Sequence, residues 1–185
     1  RQGVVVFDGA MGTEIYKRNV LTNRCFDELC LSEPGIIHEI HAEYCNAGAD
    51  VLTTNSFGAN RIALTRHGLE DRLTDINTRA VQIAHEVASA ANRPVYVAGS
   101  VGPIARENRS VEEQGNLYAE HVEALVAAGA DFIIFETQPS RETLEWAACA
   151  MRSFPETAFI LSCTVFSDCE SASGEPIAFL MAPPP

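Results

Sequence analysis

Basic residues are scarce in this chain: 13 Lys and Arg stand against 25 Asp and Glu, for a formal charge of −12. Binding a phosphate backbone requires clustered cations that release counterions. The chain has neither a basic run nor a basic amphipathic helix, which excludes nucleic acid and anionic membrane as partners. No apolar run approaches the roughly 20 residues that span a bilayer. Cys-x-x-Cys pairs are missing too. The six cysteines (Cys25, Cys30, Cys45, Cys149, Cys163 and Cys169) are irregularly spaced, which reads as reduced, mostly buried thiols of a cytoplasmic protein and excludes a disulfide framework. There is no G-x-S-x-G, no Walker loop and no Cys-His pair at meaningful spacing.

What is present suits one domain with a core of ordinary size, 185 residues at 46% hydrophobic. Five short segments rich in apolar and β-branched residues read as strands: 4–9, 50–56, 95–102, 131–137 and 158–166. They lack two-residue alternation, the mark of parallel strands covered on both faces. Helical patterns fill the gaps at 33–48, 74–91, 110–129 and 140–154. The expected caps are Ser32, a Ser110/Glu113 box and a Ser140/Thr143 pair. Trp146 and Phe154 read as helix–sheet packing, and His67, His85 and His121 as isolated surface residues.

Two stretches nearly repeat, "AGADVLTTNS" at 47–56 and "AGADFIIFET" at 128–137. Each reads as a helix stopped by glycine, a tight turn, and a parallel strand ending in a polar residue, Asn55 or Glu136. The β-then-α order calls for a parallel sheet with right-handed crossovers, which both an open doubly wound sheet and a (β/α)8 barrel satisfy. No G-x-G-x-x-G follows the first strand. "GAMG" at 9–12 has the wrong spacing and leads into a long loop, against a dinucleotide fold.

In either architecture chemistry collects at the carboxyl ends of the strands. Those ends carry Asp8, Asn55, Ser100, Glu136, Ser162 and Thr164. Asp8 followed by "GAMGT" sets a carboxylate beside approachable backbone amides, which suits a zwitterion. Glu136 ends an apolar strand, so it is solvated, paired or functional. The plainer alternatives are that Asp8 caps a turn and Glu136 pairs with an arginine. "GSVGP" at 99–103 reads as a plain turn or an anion cradle. His38, His41 and Cys45 share a helix face at i, i+3 and i+7, but that helix packs outside the sheet, so the metal reading is the weaker one.

Taken together, "FDGAMGTEI", "NAGADVLTTNSFGAN", "VAGSVGP", "GADFIIFET" and "ILSCTV" resemble the homocysteine S-methyltransferase family, in the family's order from about Val4 to Pro176. The resemblance implies a TIM-barrel-type (β/α)8 α/β fold, with only about the first five β/α units present. It implies that residues 1–185 are a homocysteine-binding barrel domain truncated before the sixth strand. The implied reaction is methyl transfer to the thiol of homocysteine, making methionine. By motif match, Asp8 and Glu136 fall where the family holds the amino group, Gly9 and Ala10 where backbone amides meet the carboxylate, and Asn55 and Ser100 on the same pocket. The family binds zinc through cysteines in later motifs that do not occur here, so zinc ligands are expected beyond Pro185 and the 185 residues alone are expected to be inactive. The methyl donor is open, with methyl-folate through cobalamin and S-methylmethionine as candidates, and further domains of a longer chain are candidate partners. The rival readings are a non-catalytic remnant that binds an amino acid or a partner chain, and another barrel enzyme acting on an anionic small molecule.

Overall fold

A computed structural model describes residues 3–21, 23–105 and 109–180. Four parallel strands, β1 (Val51–Thr53), β2 (Tyr96–Val101), β3 (Phe132–Gln138) and β4 (Phe159–Cys163), form one sheet in the order β1-β2-β3-β4. Sequence order and spatial order coincide, so this sheet has no switch point of the doubly wound kind. It winds in one direction, as a barrel does.

Helices α3 (Pro34–Ala47), α5 (Leu73–Ala90), α6 (Val111–Ala127) and α7 (Arg141–Met151) fall at the expected places, and a short α4 (Arg61–Thr65) precedes α5. Both capping boxes form, Ser110 with Glu113 and Ser140 with Thr143. Ser32 is not a cap. It ends a short helix, α2 (Leu29–Ser32), and donates to Glu28, while α3 starts at Pro34 without a side-chain cap. The expected long loop after Gly9 is a helix instead, α1 (Met11–Lys17).

The AGAD repeat is a structural duplication. Gly48 and Gly129 both take left-handed φ, +108° and +96°. At each, the glycine N–H bonds the carbonyl three residues back, and the next alanine bonds the carbonyl five back (Ala49 to Tyr44, Ala130 to Leu125). This is the Schellman closure, which needs a residue tolerant of positive φ. Asp50 and Asp131 then each accept a backbone N–H from the preceding chain segment through Oδ2, from Val6 at 3.1 Å and from Val97 at 2.7 Å.

The sheet is not covered by helices on both faces. Leu52, Val97, Val101, Ile133 and Phe135 point to one side and join Val81, Tyr118, Leu125, Trp146 and Met151 of α5–α7 in one core. Burying each large side chain there contributes about 1.5–3 kcal/mol. The other side carries Thr53, Ser100, Ile134 and Glu136, which line a cleft. Short apolar runs look alike whether their second face meets helices or lines a cavity.

The expected strand at 4–9 is reduced to a single parallel bridge, Phe7 to Val51. Val4, Val5 and Val6 are 89%, 57% and 49% exposed. At the opposite edge Phe159, Ile160 and Leu161 are 42%, 39% and 39% exposed, so β4 is an edge strand and not a buried one. The cysteines are all free, as expected, but only Cys30 and Cys45 are buried, while Cys169 is exposed. His121 is no surface residue: it is fully buried, with Nε2 3.0 Å from Asn77 Oδ1. No described helix is long and apolar enough to cross a membrane.

Candidate functional site

The cleft on the bare face of the sheet has a volume of about 770 Å³, within the range of about 300–1,000 Å³ usual for small-molecule sites. Asp8, Gly9, Ala10, Asn55, Ser100 and Glu136 all line it. Ser162 and Thr164 do not.

Asp8 is placed by Thr53. The chain pairs with β1 through Asp8 N–H to Val51 O, 3.0 Å. The carboxylate then continues the ladder in place of backbone, with Oδ2 accepting from Thr53 N–H (2.8 Å) and Oδ1 from Thr53 Oγ1 (2.5 Å). Its side chain is 3% exposed. Burial pushes the Asp8 carboxyl up to about 6, the nearby Glu136 charge adds to the rise, and the Thr53 bonds oppose it.

Glu136 is placed by a bulge. Phe135 pairs with Leu161 but Gln138 pairs with Cys163, so β3 holds one residue more than β4 across this step. Thr137 takes φ +58° there, an uncommon conformation for a β-branched residue. The bulge lets Phe135 and Gln138 both reach the core while Glu136 faces the cleft. Gln138 accepts from the Tyr118 hydroxyl at 3.0 Å. Among the described residues no arginine pairs with Glu136; it accepts a short hydrogen bond from Ser100 Oγ.

Asn55 lines the cleft, yet its Nδ2 donates to the Phe26 carbonyl at 2.7 Å, tying β1 to the 23–28 segment. Gly9 packs against Tyr44: a Cβ there would meet the Tyr44 hydroxyl at 2.8 Å, and that hydroxyl donates to the Ala10 carbonyl. "GSVGP" is no open anion cradle, because Gly99 and Gly102 are buried and the Gly102 N–H is spent on Phe57 O.

Thr53, Phe26, Asp27 and Phe57 also line the cleft and were not singled out from the sequence. Thr53 had a signal, lying two residues before Asn55 on the same strand. Asp27 had none. It sits in an aperiodic segment, and only the fold brings its Oδ1 to the Gly58 N–H at 2.9 Å. Burial raises its carboxyl too. Among the described residues no group of three or more His, Cys, Asp or Glu could hold a metal ion. His38, His41 and Cys45 form no such set.

A family model described as homocysteine S-methyltransferase matches residues 5–182. The chain belongs to the homocysteine S-methyltransferase family. It is 32% identical over 152 residues to methionine synthase of Mycobacterium leprae, covering 74% of this chain and 12% of that protein. It is also 32% identical over 149 residues to methionine synthase of Mycobacterium tuberculosis, again covering 12% of the relative. The fold superposes on the metallated form of the homocysteine methyltransferase MmuM from Escherichia coli with a TM-score of 0.88 at 26% identity, covering 97% of this chain and 69% of that one. The apo form of the same enzyme gives 0.79. The architecture is therefore an α/β fold of the TIM-barrel type.

Proposed function

We propose that this homocysteine S-methyltransferase family chain binds homocysteine in the cleft and serves methyl transfer to its sulfur, making methionine. Asp8 and Glu136 grip the ammonium group, Gly9 and Ala10 offer backbone N–H groups to the carboxylate, and Ser100 and Asn55 hold the walls. The observation that carries this is the convergence of Asp8 and Glu136 on one cleft. Burial raises the Asp8 carboxyl and the nearby Glu136 charge adds to it; one incoming cation would favour the ionised form of both acids. An anionic substrate would make that repulsion worse.

The chain spans 12% of the length of the curated relatives it matches, and 69% of MmuM. In this reading residues 1–185 are the amino-terminal part of a homocysteine-binding barrel domain. The exposed apolar edges at Val4–Val6 and Phe159–Leu161 support it, since further strands, or a partner chain, would cover them. Zinc activates a thiol by stabilising its thiolate. The described residues do not supply a ligand set for it. The methyl donor stays open between methyl-folate through cobalamin and S-methylmethionine.

The test is calorimetric titration of the chain with homocysteine. Glu136→Ala is expected to weaken binding about tenfold or more through the lost charge pairing. Unchanged affinity removes Glu136 from the site.

A further inference from the structure

One buried titratable group lies behind the cleft, next to Asp8. His41, on α3, is fully buried, and neither ring nitrogen has a hydrogen-bond partner. A buried donor or acceptor without a partner costs stability, so its retention calls for a reason. Its Nδ1 lies 4.0 Å from Asp8 Oδ2.

The groups facing this pair leave His41 as the candidate donor. Thr53 already gives Asp8 both of its donors. Glu136, from β3, presses on Asp8 with like charge. Tyr44, from α3, senses Asp8 but spends its hydroxyl on the Ala10 carbonyl. His38, one turn earlier on α3, acts on His41 and is exposed.

We propose that His41 is a positioning residue for Asp8: its Nδ1–H donates to Asp8 Oδ2 once the carboxylate is ionised against an ammonium group. The pair thereby favours ligands that carry a protonated nitrogen. The inference rests on the homocysteine reading above. Closing the gap to a normal hydrogen bond takes a movement of about 1 Å. Burial holds His41 well below the usual imidazole range, at about 4, so the ring is neutral with one N–H to give. A neutral donor steadies the carboxylate without cancelling its charge, which stays available to the ligand. A cationic ring would compete with the ammonium.

Two measurements on the full 185-residue chain test this. Nitrogen-15 NMR of the His41 ring at neutral pH should show the Nδ1-protonated tautomer, with its resonances shifting as homocysteine is added. An Nε2-protonated neutral ring overturns the proposal. Calorimetry then compares homocysteine with 4-sulfanylbutanoate, the same thiol acid without the amine. His41→Phe should weaken homocysteine about ten- to a hundredfold and leave 4-sulfanylbutanoate unchanged. His41→Asn, which keeps an N–H near the Nδ1 position, should restore much of the loss. Equal weakening of both ligands, or of neither, reduces His41 to a space-filler and overturns the proposal. Should the unmodified chain fail to prefer homocysteine, the reading of Asp8 and Glu136 falls instead, and the tautomer still decides the His41–Asp8 bond.

Discussion

Thr53 holds Asp8 from two directions, its N–H on one carboxylate oxygen and its hydroxyl on the other. An acid at the ragged edge of the sheet thus acquires a fixed orientation, and among the described residues no arginine or lysine bonds to it.

Thr53→Val keeps the N–H and the shape but deletes the hydroxyl bond. Losing a hydrogen bond to a charged group should raise the Asp8 carboxyl above about 6 and weaken homocysteine about tenfold at neutral pH. Carbon-13 NMR of the Asp8 carboxyl and calorimetry read the two effects. A midpoint that stays put shows that Thr53 Oγ1 contributes nothing to the site.

Thr137→Gly relieves a β-branched residue at φ +58° whose side chain is exposed and so loses little packing. The left-handed conformation costs an L-residue about 1–2 kcal/mol, and glycine's extra chain entropy takes back part of the gain. Urea unfolding should show up to about 1 kcal/mol of added stability. A less stable variant would mean that the threonine side chain holds the bulge.

His121 sets a pH dependence. Burial lowers it from 6.5 to about 3 in the folded chain, so the unfolded chain takes up that proton first. Its contribution is intact above about pH 6.5 and is lost as pH falls toward 3. Asp8 acts with the opposite sign, because its folded value is raised from 3.8 to about 6 and acidification across that window favours the fold. The histidine term is isolated with His121→Gln. The stability advantage of the unmodified chain over this variant should shrink by about 1.4 kcal/mol per pH unit below 6.5. Urea titrations over a pH series read it, and a constant difference shows that His121 does not titrate on unfolding.

The sequence made the duplicated return legible because both halves rest on local chemistry. Gly48 and Gly129 satisfy their helix ends within a few residues, and Asp50 and Asp131 repeat one contact. Asp8 and Glu136 stood out as acids closing apolar runs, and both line the cleft. What escaped notice depends on distant partners. Asn55 turns to a carbonyl in an aperiodic loop, and Asp27 enters the site only because the 57–60 turn comes to it. The two buried histidines were readable in principle. His121 lies in the stripe of Tyr118, Val122 and Leu125, and His41 in that of Ile37, Ile40 and Cys45. For His121 the partner is Asn77, which waits across the gap and which the pattern alone does not show. The segment at 4–9 is apolar enough for a strand, yet ladder pairing also needs a neighbour, and beyond Phe7 its neighbour at Thr53 bonds the Asp8 side chain.

Because neighbouring residues of one strand look to opposite sides, durability and recognition in this molecule are encoded in interleaved positions. Val101 and Ile133 answer to the helices; Ser100 and Ile134, one step away, answer to whatever enters the cavity. Ligand preference can therefore be re-tuned along β2 and β3 at every second site while the layer that keeps the chain folded is left untouched.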